Sequence, residues 1–128
     1  MRFEPGRAQL YVNRALALSK KGEWDAAVAD YDEAIHLDPK HAVSHHNRGG
    51  IRALRGDLEG AIVDYDEAIL AAPNWAEAYA NRGLVLLKKG DAQGAIDDCE
   101  RALKIAPPTW ERRKQVEGCL QEARRKLQ

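Results

Sequence analysis

The apolar residues of this chain recur at helical spacing in three pairs of stretches, and a glycine separates the two members of each pair. The first members extend over about residues 8–20, 42–54 and 76–88. In the second members apolar side chains lie three or four positions apart, as in the series Ala27, Tyr31 and Ala34. The second members end at three prolines, whose rings cannot continue a helix: Pro39, Pro73 and Pro107. The pattern therefore predicts three helical hairpins.

The three hairpins are copies of one unit. The closing prolines lie 34 residues apart, and so do the separating glycines Gly22, Gly56 and Gly90. The text before the prolines also repeats, as DYDEAIHLDP, DYDEAILAAP and DDCERALKIAP. A fixed period of this length is typical of helical repeat proteins, in which each unit buries its apolar face on its neighbours.

The unit resembles the tetratricopeptide repeat (TPR) at corresponding places of its three copies. These places hold Tyr11, Ala27, Tyr31, Ala34 and Pro39, then Gly49, Ala61, Tyr65, Ala68 and Pro73, then Tyr79, Gly83, Ala95, Ala102 and Pro107. The resemblance implies an all-α, right-handed α-solenoid of three TPR hairpins and a C-terminal capping helix, seven helices in total. We expect an N-terminal arm over residues 1–7, repeats over 8–41, 42–75 and 76–109, and the capping helix over 110–128.

The resemblance also implies a function, because this family holds partner proteins in a concave groove lined by the first helix of each hairpin. The groove-facing places of the family correspond here to Val12, Asn13, Leu16, Val43, His46, Asn47, Gly50, Leu54, Glu77, Asn81, Leu84, Leu87 and Lys88. Three of them, Asn13, Asn47 and Asn81, form a column one repeat apart, and an amide offers two donors and an acceptor to a peptide backbone. Alternatively, the column bonds to the backbone of the stack itself. We predict a protein-interaction module without cofactor, whose partner is a protein or peptide.

One specialised groove of the family is a carboxylate clamp for the acidic C-termini of chaperones. Its places hold Val12, Leu16, Asn47, Glu77 and Asn81 here. Only Asn47 fits the clamp, and the charge of Glu77 would repel a carboxylate. We therefore expect that the partner is not a chaperone tail.

Composition and motif content argue against several classes of partner and activity. Twenty basic and twenty acidic residues balance, which argues against nucleic acid as a partner. No apolar run approaches the ~18 residues of a membrane helix, so no membrane partner is expected and a cytoplasmic location is the default. Phosphate-loop and hydrolase motifs are missing from the sequence, so no enzyme activity is expected. Two alternatives stay open: a stack that self-associates, weakly and through its uncapped first helix, and a nucleic-acid-binding helical repeat.

Arginines also form a column of their own, with two interpretations. Arg14, Arg48 and Arg82 stand one repeat apart and invite a phosphate-binding hypothesis. Acidic residues of the second helices, such as Asp30 and Asp64, recur with the same period. Arginine with a carboxylate nearby needs no external anion, so pairing within the stack is the favoured interpretation.

Histidines and cysteines are the remaining candidates for metal or redox chemistry. His41 and His45 are four residues apart, which on one helix face permits metal chelation. Too few further ligands lie nearby, so we expect no metal site. Cys99 and Cys119 lack a metal-ligand spacing and occupy apolar helix positions, where free cysteine behaves as a small apolar residue. A disulfide is not expected in a cytoplasmic protein.

Overall fold

The computed structural model describes residues 5–128, which fold into seven α-helices without a strand. The helices are α1 (Pro5–Lys20), α2 (Trp24–Leu37), α3 (Ala42–Leu54), α4 (Leu58–Ala71), α5 (Ala76–Lys89), α6 (Ala92–Ile105) and α7 (Arg113–Lys126). Three hairpins form from α1 and α2, α3 and α4, and α5 and α6, and each packs on the next in chain order. Helix α7 packs on α6 and α5 and closes the stack. The predicted all-α helical solenoid is confirmed.

The turns inside the hairpins follow from local chemistry. The three separating glycines have positive φ angles, a conformation that side chains with a Cβ rarely adopt: Gly22 (76°), Gly56 (85°) and Gly90 (98°). The next helix is then capped by an aspartate in two hairpins. Asp57 accepts a hydrogen bond from the backbone N–H of Gly60 at 3.0 Å, and Asp91 accepts one from Gly94 at 2.9 Å.

Two helix boundaries differ from the sequence-based expectation. Helix α1 begins at Pro5, so residues 5–7 of the predicted N-terminal arm are helical, and the first four residues of that arm lie outside the described part of the chain. Helix α7 begins at Arg113 rather than near Trp110. The backbone N–H of Trp110 donates a hydrogen bond to the carbonyl of Pro107 at 3.0 Å, so residues 107–110 form a turn and the helix begins after it.

The two helices of a hairpin approach closely where small residues face each other. A Cβ on Gly49 would lie 3.1 Å from the Cβ of Asp64 and 3.3 Å from the carbonyl oxygen of Ala61. A Cβ on Gly83 would lie 3.0 Å from the sulfur of Cys99. Because these gaps have no room for a larger residue, the helix pairs are held at the spacing that the small residues permit.

Arginine and aspartate side chains join the hairpins. Arg48 of α3 donates to Asp64 of its own repeat at 3.0 and 2.7 Å and to Asp32 of the preceding repeat at 2.7 Å. Arg52 adds a bond to Asp64 at 2.9 Å. Two further arginines repeat the arrangement: Arg82 bonds to Asp98 and to Asp66 of the preceding repeat, and Arg14 bonds to Asp30. The predicted pairing within the stack is confirmed.

The aspartates at the centre of these pairs are buried. The side chain of Asp64 is only 1% exposed. Burial alone would raise the pKa of Asp64, but the ring of His45 and the guanidinium groups of Arg48 and Arg52 outweigh burial and hold this pKa below its usual value. The Asp64 charge is therefore a buried, compensated charge rather than part of a solvated surface.

Candidate functional site

Two adjacent cavities open on the face formed by α1, α3 and α5. The first, of about 290 Å³, is lined by Leu16, Ser19, Trp24, Tyr31, His46, Asn47, Gly50, Ile51 and Leu54. The second, of about 220 Å³, is lined by Gly50, Ala53, Leu54, Tyr65, Asn81, Leu84, Val85 and Lys88. Gly50 and Leu54 line both cavities, so the two form one continuous depression, which we call the groove.

The 34-residue period places like positions side by side along this face. Three such columns run from α1 through α3 to α5: Asn13, Asn47 and Asn81; Leu16, Gly50 and Leu84; and Lys20, Leu54 and Lys88. The middle of the third column is apolar and prominent, because the side chain of Leu54 is 67% exposed between the two cavities. The face therefore changes from amide to apolar to basic across its width.

His46 contacts two amide side chains and two aromatic rings of the groove. Its ring lies against Trp75, with centroids 4.3 Å apart, and against Tyr65, with centroids 5.5 Å apart. Its Nε2 lies 2.9 Å from Nδ2 of Asn81, and its Nδ1 lies 3.3 Å from Oδ1 of Asn47. An amide nitrogen is a donor and an amide oxygen an acceptor, so this pair of bonds requires the proton on Nδ1. Burial lowers the pKa of His46, in agreement with a neutral ring that orients both amides.

Glu77 does not carry a free negative charge into the groove. Its Oε1 accepts a hydrogen bond from Nε1 of Trp110 at 3.0 Å, and its Oε2 accepts one from Arg112 at 2.5 Å. Trp110 and Arg112 belong to the segment just before α7. The closing segment of the chain therefore neutralises Glu77, and the expected repulsion of a carboxylate by Glu77 has no physical basis.

The structure brings together part of the predicted groove set and separates the rest. The residues that line the cavities are Leu16, His46, Asn47, Gly50, Leu54, Asn81, Leu84 and Lys88. The prediction that Val12 faces the groove was wrong: Val12 is 1% exposed and packs in a core cluster that includes Tyr31 and Ile51. Its branched apolar side chain is part of the hydrophobic core between α1, α2 and α3 and does not line the groove. Four further members line neither cavity: Asn13, Val43, Glu77 and Leu87.

Glu77 is held by Trp110 and Arg112, as described above, and the other three residues have surroundings of their own. Asn13 is exposed and accepts a hydrogen bond from Gln9 of its own helix at 2.9 Å. Val43 lies in the first turn of α3 and is exposed. Leu87 packs against the core cluster shared by α5, α6 and α7. The amide column is therefore represented in the cavities by Asn47 and Asn81.

Aromatic residues form much of the cavity lining, and sequence reasoning missed their contribution. Tyr31 and Tyr65 come from the second helices and were not among the predicted groove residues, yet each lines one cavity. Burial raises the pKa of Tyr65 to about 12, and it also raises the pKa of Tyr31. The hydroxyl groups of Tyr31 and Tyr65 were a signal in the sequence, because a buried tyrosine hydroxyl usually needs a polar partner and so indicates a position at the edge of a core.

The histidine pair considered for metal binding has other partners. Nδ1 of His41 lies 2.7 Å from the hydroxyl of Ser44, and Nε2 of His45 lies 2.9 Å from the carbonyl oxygen of Pro39. Residues 5–128 contain no group of three or more histidine, cysteine or acidic side chains placed to hold a metal ion. Across the same residues, every helix is too short or too polar to cross a membrane.

Family models match most of the chain. The model for the tetratricopeptide repeat matches residues 8–41 and 76–107, and a second model, described as TPR repeat, matches residues 49–90. Among curated proteins, none matches significantly.

Solved structures with the same fold include several peptide complexes. The first TPR of Spaghetti (RPAP3) bound to the HSP90 peptide SRMEEVD superposes with a TM-score of 0.91 at 20% identity, covering 99% of this chain and 98% of that chain. The TPR2B domain of yeast Sti1 in complex with an Hsp70 peptide has a TM-score of 0.86 at 21% identity, covering 93% and 97%. The type III secretion chaperone SycD of Yersinia enterocolitica, in complex with a peptide of the translocator YopD, has a TM-score of 0.86 at 17% identity, covering 94% of each chain.

The exclusion of chaperone tails as partners was wrong. TPR domains bound to HSP90 and Hsp70 peptides share the fold of this chain over almost its whole length. The argument for the exclusion rested partly on Glu77, whose carboxylate is in fact bound by Trp110 and Arg112.

Proposed function

The chain is a member of the tetratricopeptide repeat family, and from that premise we propose that it binds a peptide segment of a partner protein in the groove between α1, α3 and α5. It is a protein–protein interaction module, as this family is. The observation that carries the groove assignment is the pair of adjoining cavities, because they join apolar walls to oriented amides on one exposed face.

The amides supply the polar part of recognition. The contacts of His46 with Asn47 and Asn81 hold the two side chains in fixed orientations. An asparagine side chain has two N–H donors and a carbonyl acceptor, so each amide keeps capacity for a peptide backbone after its bond to His46. Two oriented amides about one repeat apart would fix the register of a bound peptide, and orientation before binding reduces the entropy lost on binding.

The cavities supply the apolar part of recognition. Leu16 lines the first cavity and Leu84 the second, with Leu54 prominent between them. The two cavities adjoin at Gly50 and Leu54, so a partner can fill both with two apolar side chains. Each such side chain contributes about 1.5–3 kcal/mol when fully buried.

The basic edge favours acidic partners. Lys20 and Lys88 flank Leu54 in the third column, and both are exposed. Acidic residues of a peptide lying along the groove would approach these two charges, and their attraction would weaken as salt increases. Peptides that combine apolar and acidic residues, such as the sequence SRMEEVD bound by the first TPR of Spaghetti, are suitable first candidates.

The proposal has two further parts. The chain acts by holding its partner and has no catalytic step of its own, in keeping with the interaction function of its family. It acts in the cytoplasm, which cell fractionation with an antibody to the chain would test directly.

Fluorescence anisotropy with labelled SRMEEVD and with an amphipathic helical peptide tests the binding site. Asn47→Ala removes an oriented amide and should weaken binding by about 1–3 kcal/mol, which is roughly 5- to 150-fold in Kd. The matched control is Asn74→Ala, in the exposed turn between α4 and α5, which should bind as the native protein does.

The same groove variant also serves when the natural partner is unknown. Native protein and Asn47→Ala would each be used to capture proteins from a lysate, with the captured proteins identified by mass spectrometry. Full binding by Asn47→Ala, together with loss of binding after changes at the exposed residues Glu33 and Glu67 of the second helices, would place the site on the opposite face and contradict the proposal.

A further inference from the structure

Two buried thiols meet where the closing helix packs on the last hairpin. Cys99 lies on α6 and Cys119 on α7, and their sulfur atoms are 3.0 Å apart. Cys99 is 0% exposed and Cys119 is 5% exposed, and both belong to one core cluster with Val116. Neither thiol is disulfide-bonded.

We propose that Cys99 and Cys119 form an oxidation site, at which a peroxide converts the two thiols into an intrachain disulfide that ties α7 to α6. The sulfur atoms need to approach by only about 1 Å to reach the ~2.05 Å length of an S–S bond. The adjustment falls on two helices that already pack together. Geometry of this kind favours a bond within the chain over one between chains.

The contact between the two sulfur atoms also assigns an order to the reaction. The thiol of Cys99 donates a hydrogen bond to the sulfur of Cys119, and this bond lowers the pKa of Cys119. The thiolate is the form of cysteine that attacks an oxidant, so Cys119 reacts first. Cys119 is also the more exposed of the pair. Cys99 is then in place as the resolving thiol.

The step balances with hydrogen peroxide as the oxidant. The Cys119 thiolate attacks one peroxide oxygen, the O–O bond breaks, and a sulfenic acid forms while the released hydroxide takes up a proton as water. The sulfur of Cys99 then attacks the sulfur of Cys119, its proton passes to the departing hydroxyl, and a second water leaves. Two thiols lose two electrons in total and one peroxide gains them.

Burial shapes the selectivity of the site. Cys99 is fully buried and Cys119 nearly so, so a bulky disulfide reagent is excluded and oxidation requires a small oxidant such as hydrogen peroxide. Because the resolving thiol is already in contact, the sulfenic acid is consumed before a second peroxide oxidises it further. The product joins residues that are 20 positions apart and restricts the unfolded chain, so it stabilises the folded end of the stack.

The experiment treats the full, folded chain with hydrogen peroxide, removes the peroxide, and then unfolds the chain in the presence of an alkylating reagent, so that any thiol still reduced is alkylated. We expect a mass decrease of about 2 Da for the loss of two hydrogens, no alkylation of either cysteine, and one cross-linked peptide that contains Cys99 and Cys119. The thermal midpoint should rise by several degrees, and dithiothreitol should reverse both changes. Cys99→Ser is the matched control, and it should show neither the cross-link nor the rise.

Three results would overturn the proposal. The first is stable addition of oxygen to either cysteine of the native chain in place of the mass decrease. The second is a cross-link found only between two chains. The third is a cross-link that forms in denaturant and not in the folded protein. Because each of these is measured on the native sequence, the conclusion stands even if the Cys99→Ser variant folds poorly.

Discussion

Two adjacent glycines of α3 offer a sharp test of how closely its hairpin is packed. Gly49 faces α4, whereas Gly50 faces the groove. Replacing glycine with alanine inside a helix stabilises the helix by about 0.5–1 kcal/mol when the new methyl group has room. Gly49→Ala and Gly50→Ala share this gain, so their difference in stability reports the space around the added Cβ alone.

The space differs clearly between the two positions. At Gly50 the new Cβ would lie 3.7 Å from the hydroxyl oxygen of Tyr65, an ordinary contact. At Gly49 it would lie 3.1 Å from the Cβ of Asp64, 3.2 Å from the ring of Tyr65 and 3.3 Å from the carbonyl oxygen of Ala61. Two arginines hold Asp64 and the carbonyl is part of α4, so relief requires the helices to separate. Overpacking of this kind costs about 1–3 kcal/mol.

Urea denaturation followed by circular dichroism measures the difference. Gly50→Ala should be more stable than the native protein by about 0.5–1 kcal/mol, and Gly49→Ala should be less stable than Gly50→Ala by about 1–3 kcal/mol. For a typical dependence on urea the two midpoints would differ by about 1 M. Equal midpoints for the two variants would refute the close approach of α3 and α4 at Gly49, because only steric contact distinguishes the positions.

The buried ion pairs and the groove histidine give two further predictions. Asp64→Ala should destabilise the fold by about 1–3 kcal/mol in thermal or urea unfolding, because it removes the buried hydrogen-bond partner of Arg48 and Arg52 and leaves Arg48 only its exposed partner Asp32. Asp30→Ala should cost less, because Asp30 pairs with an exposed arginine, and equal losses would contradict the difference in burial. The pKa of His46 is lowered in the folded state, so the stability gained from its neutral ring is complete above the unfolded pKa of about 6.5 and is lost as pH falls through the folded pKa. The free energy of unfolding of the native protein should therefore exceed that of His46→Gln by less at about pH 5 than at about pH 7.5. Parallel pH profiles of the two proteins would contradict this prediction.

Repetition made the fold predictable. Apolar spacing, the turn glycines and the closing prolines each occur three times at the same places, so every helix was indicated by several independent signals. The arginine pairs were also predictable, because arginines and aspartates with a common period must lie at a common distance once the helices pack. These features depend on local periodicity, which a single sequence displays directly.

The groove was less predictable because it depends on side-chain direction and on contacts between distant residues. Val12 and Leu16 are one helical turn apart, yet Val12 enters the core and Leu16 lines a cavity. Nothing in the periodicity of α1 separates these two apolar residues. The contact of His46 with Asn81 and the bonds of Arg112 with Glu77 each span 35 positions, and their existence depends on distances that only the packed helices determine.

Because Arg48 and Arg82 each bond to an aspartate of the preceding repeat, the middle repeat can be duplicated without losing these bonds. Residues 42–75 contain both halves of the link, since Arg48 binds Asp32 behind it and Asp66 is bound by Arg82 ahead of it. A second copy of these 34 residues inserted after residue 75 would find an aspartate behind and an arginine ahead, so every arginine–aspartate link between repeats is kept. Each inserted copy would also add one more cavity between first helices. The array can therefore be lengthened by whole repeats to fit longer peptides, while the arginine–aspartate pairs between neighbouring repeats are preserved.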